Sequence, residues 1–260
     1  MLRSDTHHDA IRCNRDLEYK QLMKAKRLNA MILDGGDLFD AMQGKKDRRG
    51  NKGEIRPEYV SNNYFDTIVD LTAEEYAPYA KLFVLLAQGN HETSVQRHNE
   101  INLSSNLAYK LRSEYKSKVV NGGFGGWVRF HFEIQSTVRR SIDLKYLHNG
   151  GSNNAPVTKG IIDTNRQGTW IGKADVVWNG HNHKNYLLAT KSESLSASGR
   201  QQLDTTWFIR TPGYNNDWGD GTQGWNVEGG RGPEPLGCAW LRFYIVDHSA
   251  VAMDVSLDLE

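Results

Sequence analysis

The chain lacks any apolar run long enough to cross a membrane. Its longest, Leu82 to Ala87, falls far short of the roughly 20 residues a membrane helix needs. Met1 to Ala10 is polar and holds no apolar core of a secretory signal. Cysteine is scarce: Cys13 and Cys238 stand far apart with no C-x-x-C spacing, which excludes a disulfide framework and a cysteine zinc site. Charge of one sign is also missing. With 32 basic against 31 acidic side chains the net charge is +1, so no whole-protein attraction to nucleic acid or anionic lipid is expected. No fixed-period repeat and no low-complexity tract occurs. What remains is ordinary globular material, 38% apolar or about 48% with its 25 glycines. The expectation is a cytoplasmic chain with no membrane partner, folded as one domain over residues 1–260.

Two stretches depart from that composition. Residues 44–56 are almost wholly charged or glycine, and residues 212–235 are rich in glycine, asparagine and tryptophan. Long loops without secondary structure are usually functional or disordered, and two tryptophans favour function for the second.

Apolar spacing predicts an amphipathic helix over Leu17 to Ala30, with Leu17, Leu22, Met23, Ala25 and Leu28 near one face. Helices are also predicted over Tyr59 to Asp70 and over Ser104 to Tyr115, the latter with Ser104 as N-cap. Met31 to Leu33 and Leu82 to Ala87 have the continuous apolar form of buried parallel strands. The second half is richer in strands. Trp127 to Gln135 alternates apolar and polar residues, as a half-buried strand does. Ser141 to His148, Ala174 to Trp178, Thr205 to Arg210, Ala239 to Val246 and Val251 to Leu257 follow, the last two joined by a turn at Asp247 to Ala250. The fold class is therefore α/β, with two packed sheets and helices outside.

The chemically distinctive residues sit where those strands end. Asp37 closes the first buried strand in Gly-Asp-Leu-Phe-Asp, and Asn90-His91-Glu92 follows the second. His148 ends a third strand, and His181 and His183 follow Val176-Val177-Trp178. Asp5 and His7 form a further block ahead of the first helix. Apart from the Asp5 block, each lies at the C-terminal end of a predicted strand, where open α/β sheets place their sites. Five of the nine histidines fall in these blocks. His8, His98, His131 and His248 do not, and are expected to be surface or hydrogen-bonded residues.

The ordered set D-x-H, G-D-x-x-D, G-N-H-E, a lone histidine and G-H-x-H, spread from Asp5 to His183, resembles the calcineurin-like metallophosphoesterase family. The spelling GDLFD is similar to the branch that includes DNA-repair exonucleases. The resemblance implies a four-layer fold of two mixed sheets flanked by helices, and two divalent metal ions. It implies that Asp37 bridges the ions, that Asp5, His7 and His183 hold one, and that Asn90, His148 and His181 hold the other. Carboxylate, imidazole and amide oxygen without thiolate suit Mn²⁺, Fe²⁺ or Zn²⁺. A metal-bound hydroxide would then be the nucleophile, since water on such ions titrates near pH 7. By the same resemblance His91 is the acid or phosphate partner. Glu92 either orients the His91 imidazole or is solvated, and Asp40 stands in support beside the bridge.

One departure from the family is visible: only Met1 to Ser4 precede Asp5. The first strand is expected to be very short, or to lack residues ahead of it. The leading reading is a metal-dependent hydrolase of phosphate mono- or diesters. A nuclease is the second, because Lys45, Lys46, Arg48, Arg49, Lys52 and Arg56 follow Asp37 closely and could track a phosphate backbone in a salt-dependent manner. A non-catalytic binding module on the same fold is the third. Trp218 and Trp225 either stack a base or sugar or pack their loop onto the sheet.

Overall fold

A computed structural model of the chain describes residues 1–41, 52–134, 139–148, 164, 166–219, 221–222, 224–246 and 250–260. Lys45, Lys46, Arg48, Arg49, Gln135, His248 and the side chain of Trp225 lie outside the described residues. Among the described residues the fold is α/β, two mixed sheets flanked by helices. One sheet has six strands: β1 (Leu2–Arg3), β2 (Ile32–Asp34), β3 (Phe83–Ala87), β4 (Val120–Gly123), β10 (Gly237–Val246) and β11 (Ala250–Leu259). Their spatial order is β11-β10-β1-β2-β3-β4. The other has five: β5 (Gly125–Glu133), β6 (Arg139–Leu147), β7 (Val176–Asn179), β8 (Tyr186–Leu195) and β9 (Gln201–Arg210), ordered β5-β6-β7-β9-β8.

Strands β1 to β4 run parallel, as do β6, β7 and β9. Alternation along each strand assigns its side chains to two layers. Leu2, Leu33 and Leu85 meet Leu144, Val176, Trp178 and Ile209 between the sheets. Their neighbours Ile32, Phe83 and Leu86 face the helices on the other side. Those helices are α1 (Arg15–Leu28), α2 (Tyr64–Tyr76) and α4 (Leu103–Tyr115), which bury Leu22, Ile68 and Leu107 against the six-stranded sheet. The outer face of the five-stranded sheet takes Val177 and Phe208, covered by Ile171 and Ala174.

Several expectations shift by local chemistry. Helix α1 starts earlier because the Asn14 side chain accepts from the Leu17 amide at 3.0 Å, satisfying an orphan donor. Met23 and Leu28, expected on its apolar face, are about half exposed. Asn102, not Ser104, caps α4, accepting from Ser105 N at 2.9 Å. Tyr59 lies in a separate 3₁₀ turn, Pro57–Tyr59, and α2 begins only at Tyr64. Helix α3 (Asn90–Asn99), β4 and β8 have too little apolar periodicity to be seen in advance. The loop at 212–235 contains a short helix, α5 (Trp225–Glu228). Both cysteines are buried thiols. No helix among the described residues is long and apolar enough to cross a membrane.

The two-residue β1 is central, pairing with β2 on one side and β10 on the other. Its Arg3 is fully buried. The guanidinium donates to Asp34 Oδ2 at 2.9 Å, Glu18 Oε1 at 2.9 Å and the Tyr76 hydroxyl at 2.8 Å. It also lies over the rings of Tyr76 and Phe83. Glu18 continues the network to His8 Nδ1 at 2.9 Å, and His8 Nε2 reaches Glu75 at 2.9 Å. His8, expected to be an ordinary polar residue, is thus wholly enclosed. Burial disfavours the Glu18 carboxylate, yet His8, Arg3 and Arg15 hold its pKa far below the usual 4.5. That contribution to stability is full above pH 4.5 and is lost as pH falls toward the depressed folded value. Arg3→Ala leaves two carboxylates buried without their shared cation. It should cost about 3–5 kcal/mol in urea unfolding at neutral pH, and a loss below about 1 kcal/mol would show that the network is stabilised without Arg3.

Candidate metal centre

Every strand that was expected to deliver a reactive side chain does so at its C-terminal end, and β1 joins them. Asp5 and His7 lie two and four residues beyond β1, and Asp37 three beyond β2. Asn90 and His91 open α3 just after β3, His148 follows β6, and His181 and His183 follow β7. Because the two sheets face one another, these ends form one cluster. Asp5, His7 and His183 place one ligand atom each within 4.8 Å of one another, as do Asp37, His148 and His181. His7, Asp40 and His91 form a third such group.

Non-glycine residues rarely adopt positive φ. Among the described residues nine do so, and five are Asp5, His7, Asp37, His181 and His183, at φ of 53°, 49°, 51°, 82° and 52°. Strain of this kind costs on the order of 1–3 kcal/mol per residue and persists only where the surroundings enforce it. Here the enforcing groups are buried carboxylates bonded to backbone amides. Glu92 accepts from Gly89 N at 2.8 Å, Phe39 N at 3.0 Å and Asp37 N at 3.1 Å. Asp9 accepts from Asp40 N at 2.6 Å and Ala41 N at 3.0 Å, and also contacts the Tyr64 hydroxyl. Glu92 is therefore neither solvated nor the partner of the His91 ring, because its oxygens are taken by the turn that carries Asp37. The His91 ring is set instead by Asp40, whose carbonyl accepts from Nδ1 at 2.7 Å. Asp9 was not singled out from sequence. It stands two residues beyond His7, and no spacing rule marks it.

The imidazole tautomers follow from these partners. His148 Nδ1 faces the Gly35 carbonyl at 2.9 Å and must be the N–H, so Nε2 turns toward Asp37 Oδ2 at 3.0 Å and Asn90 Oδ1 at 3.3 Å. His7 Nδ1 lies 2.8 Å from Asp40 Oδ1, and His183 Nδ1 lies 2.7 Å from Asp217 Oδ2. With both Nδ1 atoms committed to carboxylates, the Nε2 atoms of His7 and His183 face each other at 3.3 Å. Two lone pairs so placed repel unless a proton or a cation lies between them. Two imidazoles that share one ion at about 2.0–2.1 Å stand roughly 3–3.4 Å apart. The donor set fits a divalent cation.

The electrostatics make the same demand for positive charge. Burial lowers the pKa of His7, but Asp40, Asp37 and Asp5 overcome it and raise it to about 10. Burial also opposes protonation of His148, yet Asp37 and Asp5 raise it to about 10. Asp37 is held well below the usual carboxylate range despite burial, by His148, His91 and His7. Glu92 goes up to about 7 through burial and the charge of Asp37. Metal binding would supply that charge and release the protons.

No family model and no curated protein matches the chain. A solved structure, a conserved uncharacterized protein from Streptococcus pneumoniae TIGR4 described as a predicted phosphoesterase, aligns with 98% of this chain and 87% of its own. The identity is 12% and the TM-score 0.32, too slight a likeness to bear on chemistry, which rests on the geometry.

The tightest constraint on the cluster is Gly89. A Cβ there would sit 2.0 Å from Asp37 Oδ1 and 2.4 Å from Asp37 N, so the two turns must separate to admit it. Gly89→Ala should lower stability by about 1–3 kcal/mol and reduce bound metal, while Gly232→Ala, at an open position, changes neither. Wild-type melting temperature and metal content in Gly89→Ala would mean that the turns are not in close contact.

Proposed function

We propose that the protein is a metal-dependent hydrolase of phosphate esters with a two-ion centre. The observation that carries this reading is the mutual approach of the His7 and His183 Nε2 atoms beside Asp5, next to a second group formed by Asp37, His148 and His181. Asp5, His7 and His183 would hold one ion. Asn90, His148 and His181 would hold the other, with Asp37 between them. When bound, such ions withdraw charge from phosphoryl oxygens and let water attack near neutral pH.

The chain's own residues supply the rest. Asp5 Oδ1 stands 3.6 Å from His183 Nε2 and 3.9 Å from His148 Nε2, so its charge serves both groups. The amide of His181 donates to both Asp5 oxygens, at 2.9 and 3.0 Å, fixing the carboxylate plane. The amide of His91 does the same for Asp37 Oδ1 at 2.8 Å. His91 then places its ring edge-on to that of His7, 4.7 Å between centroids, at the border of the cluster. Its Nδ1–H is committed to the Asp40 carbonyl. Nε2 is left as the atom that carries a proton to a departing alkoxide. Asp40, between His7 and His91, keeps the two rings in register.

Metal analysis by mass spectrometry should find two divalent ions per chain. Asp37→Asn should remove most activity and lower that content, because an amide offers only one good oxygen. A fully active wild type with a single stoichiometric ion would end the two-ion reading. His91→Ala should keep both ions and lose about 10²–10⁴-fold in turnover, with a smaller loss on nitrophenyl esters, whose leaving group needs little protonation. An equal loss on good and poor leaving groups would instead make His91 a phosphate-binding residue. A panel of mono- and diesters then names the ester class.

A further inference from the structure

The Gly-, Asn- and Trp-rich loop arrives at the site by a route the resemblance does not anticipate. Tyr214 is fully buried. Its amide donates to the Asp5 carbonyl at 3.0 Å, and its hydroxyl donates to Gln21 on α1 at 2.6 Å. Cys13 and Asn215 form an antiparallel bridge, flanked by Asn14 N to Tyr214 O at 2.7 Å and Asn216 N to Arg12 O at 2.9 Å. The loop is thus sewn onto the segment that follows His7. Gly213 lies so close that a Cβ there would meet the Asp5 carbonyl at 2.7 Å. Three residues beyond Tyr214, Asp217 turns inward to the 2.7 Å contact with His183 Nδ1, and it is 6% exposed. Asn215 Nδ2 donates to its other oxygen at 2.5 Å. Gly224 folds back over it, where a Cβ would stand 2.2 Å from the Asp217 carbonyl. Lys184 to Glu234, 3.1 Å, ties the segment after His183 to the far end of the same loop.

We propose that this loop is a positioning element for one half of the metal centre, with Asp217 as the positioning residue that turns His183 Nε2 toward Asp5 and His7. A histidine ligand needs its second ring nitrogen held, and removal of that partner typically costs 10–100-fold in metal affinity. The backbone of Tyr214 holds Asp5, and the carboxylate of Asp217 holds His183. Both belong to the group Asp5, His7, His183, whereas the ring of His148, of the other group, is oriented by the Gly35 carbonyl and not by Asp217. The effect of Asp217 should therefore fall on one ion and spare the other. The inference rests on the two-ion reading above.

The test is a stepwise titration of the metal-free protein with Co²⁺, followed by calorimetry and by the visible absorption of the bound ion, with the melting temperature of the metal-free form measured alongside. Wild type should take two ions. Asp217→Ala should bind one ion as wild type does and the other about 10–100-fold more weakly, with an altered cobalt spectrum for that ion and an unchanged metal-free melting temperature. Asp217→Asn, which keeps an acceptor oxygen, should lie between the two and guards against a misfolded alanine variant. Trp218→Ala should leave both affinities as they are. Two wild-type affinities in both Asp217 variants would overturn the inference while the two-ion reading stands. Equal weakening of both ions, or a fall in the metal-free melting temperature that accounts for the loss, would also overturn it, since the loop would then be scaffold alone. A wild type that takes fewer than two ions would overturn the two-ion reading and the inference with it.

Discussion

Six carboxylates, Asp5, Asp9, Asp37, Asp40, Glu92 and Asp217, are buried at one end of the paired sheets, and their mutual repulsion sets the terms for everything around them. Unpaired buried charges cost several kcal/mol each, so each must be answered. Glu92 and Asp9 are answered by backbone amides of the 37–41 turn and its neighbours. Asp37, Asp40 and Asp217 are answered by imidazoles, and Asp5 by the amide of His181. Amides can point into a common centre only if the chain leaves regular φ/ψ. That is why so many of the left-handed residues gather here.

The answer continues below the cluster. Arg3 directly precedes Ser4 and Asp5, and on the helix side it joins Asp34 and Glu18 while His8 links Glu18 to Glu75. A second charge-balanced network therefore lies directly below the strand ends and reaches α1 and α2. Ser4 and His8, at the two ends of the segment that carries Asp5 and His7, are held by polar contacts, Ser4 with Thr211 and His8 with Glu18 and Glu75. A two-residue strand is enough to place Asp5 because its position is fixed by ion pairs and by strands on both sides rather than by its own length.

Strand ends were legible in the sequence because buried apolar runs such as Leu82 to Ala87 stop abruptly at Gly and at residues with reactive side chains. Asp37, Asn90, His91, His148, His181 and His183 stand near such stops, whereas Asp5 and His7 follow no predicted strand, and the structure brings them all to one end of the paired sheets. What was not legible depends on partners distant in the chain. Glu92 looks like a surface acid beside His91, and only the fold shows three amides converging on it. Asp9 and Asp217 are single carboxylates with no periodic context, one in a turn and one among glycines and asparagines. His8 is indistinguishable from a solvent-facing histidine until Glu18 and Glu75 close on it. Helix α3 was hidden because Val95 is its lone buried aliphatic residue, and its formation rests on the Glu92 contacts more than on an apolar face.

The placement of β1 carries a consequence for the order of assembly. Leu2 pairs with Ala239 as well as with Leu33, so β1 waits for a strand made far downstream of it. Tyr214, whose amide fixes Asp5, is also made far downstream of it. Non-local pairings of this kind slow folding, since loop closure must precede the contacts that reward it. A nascent chain released short of β10 would hold Asp5 and His7 with one side of their strand unpaired. Closure of the group Asp5, His7 and His183 is thereby deferred until β10 has been made.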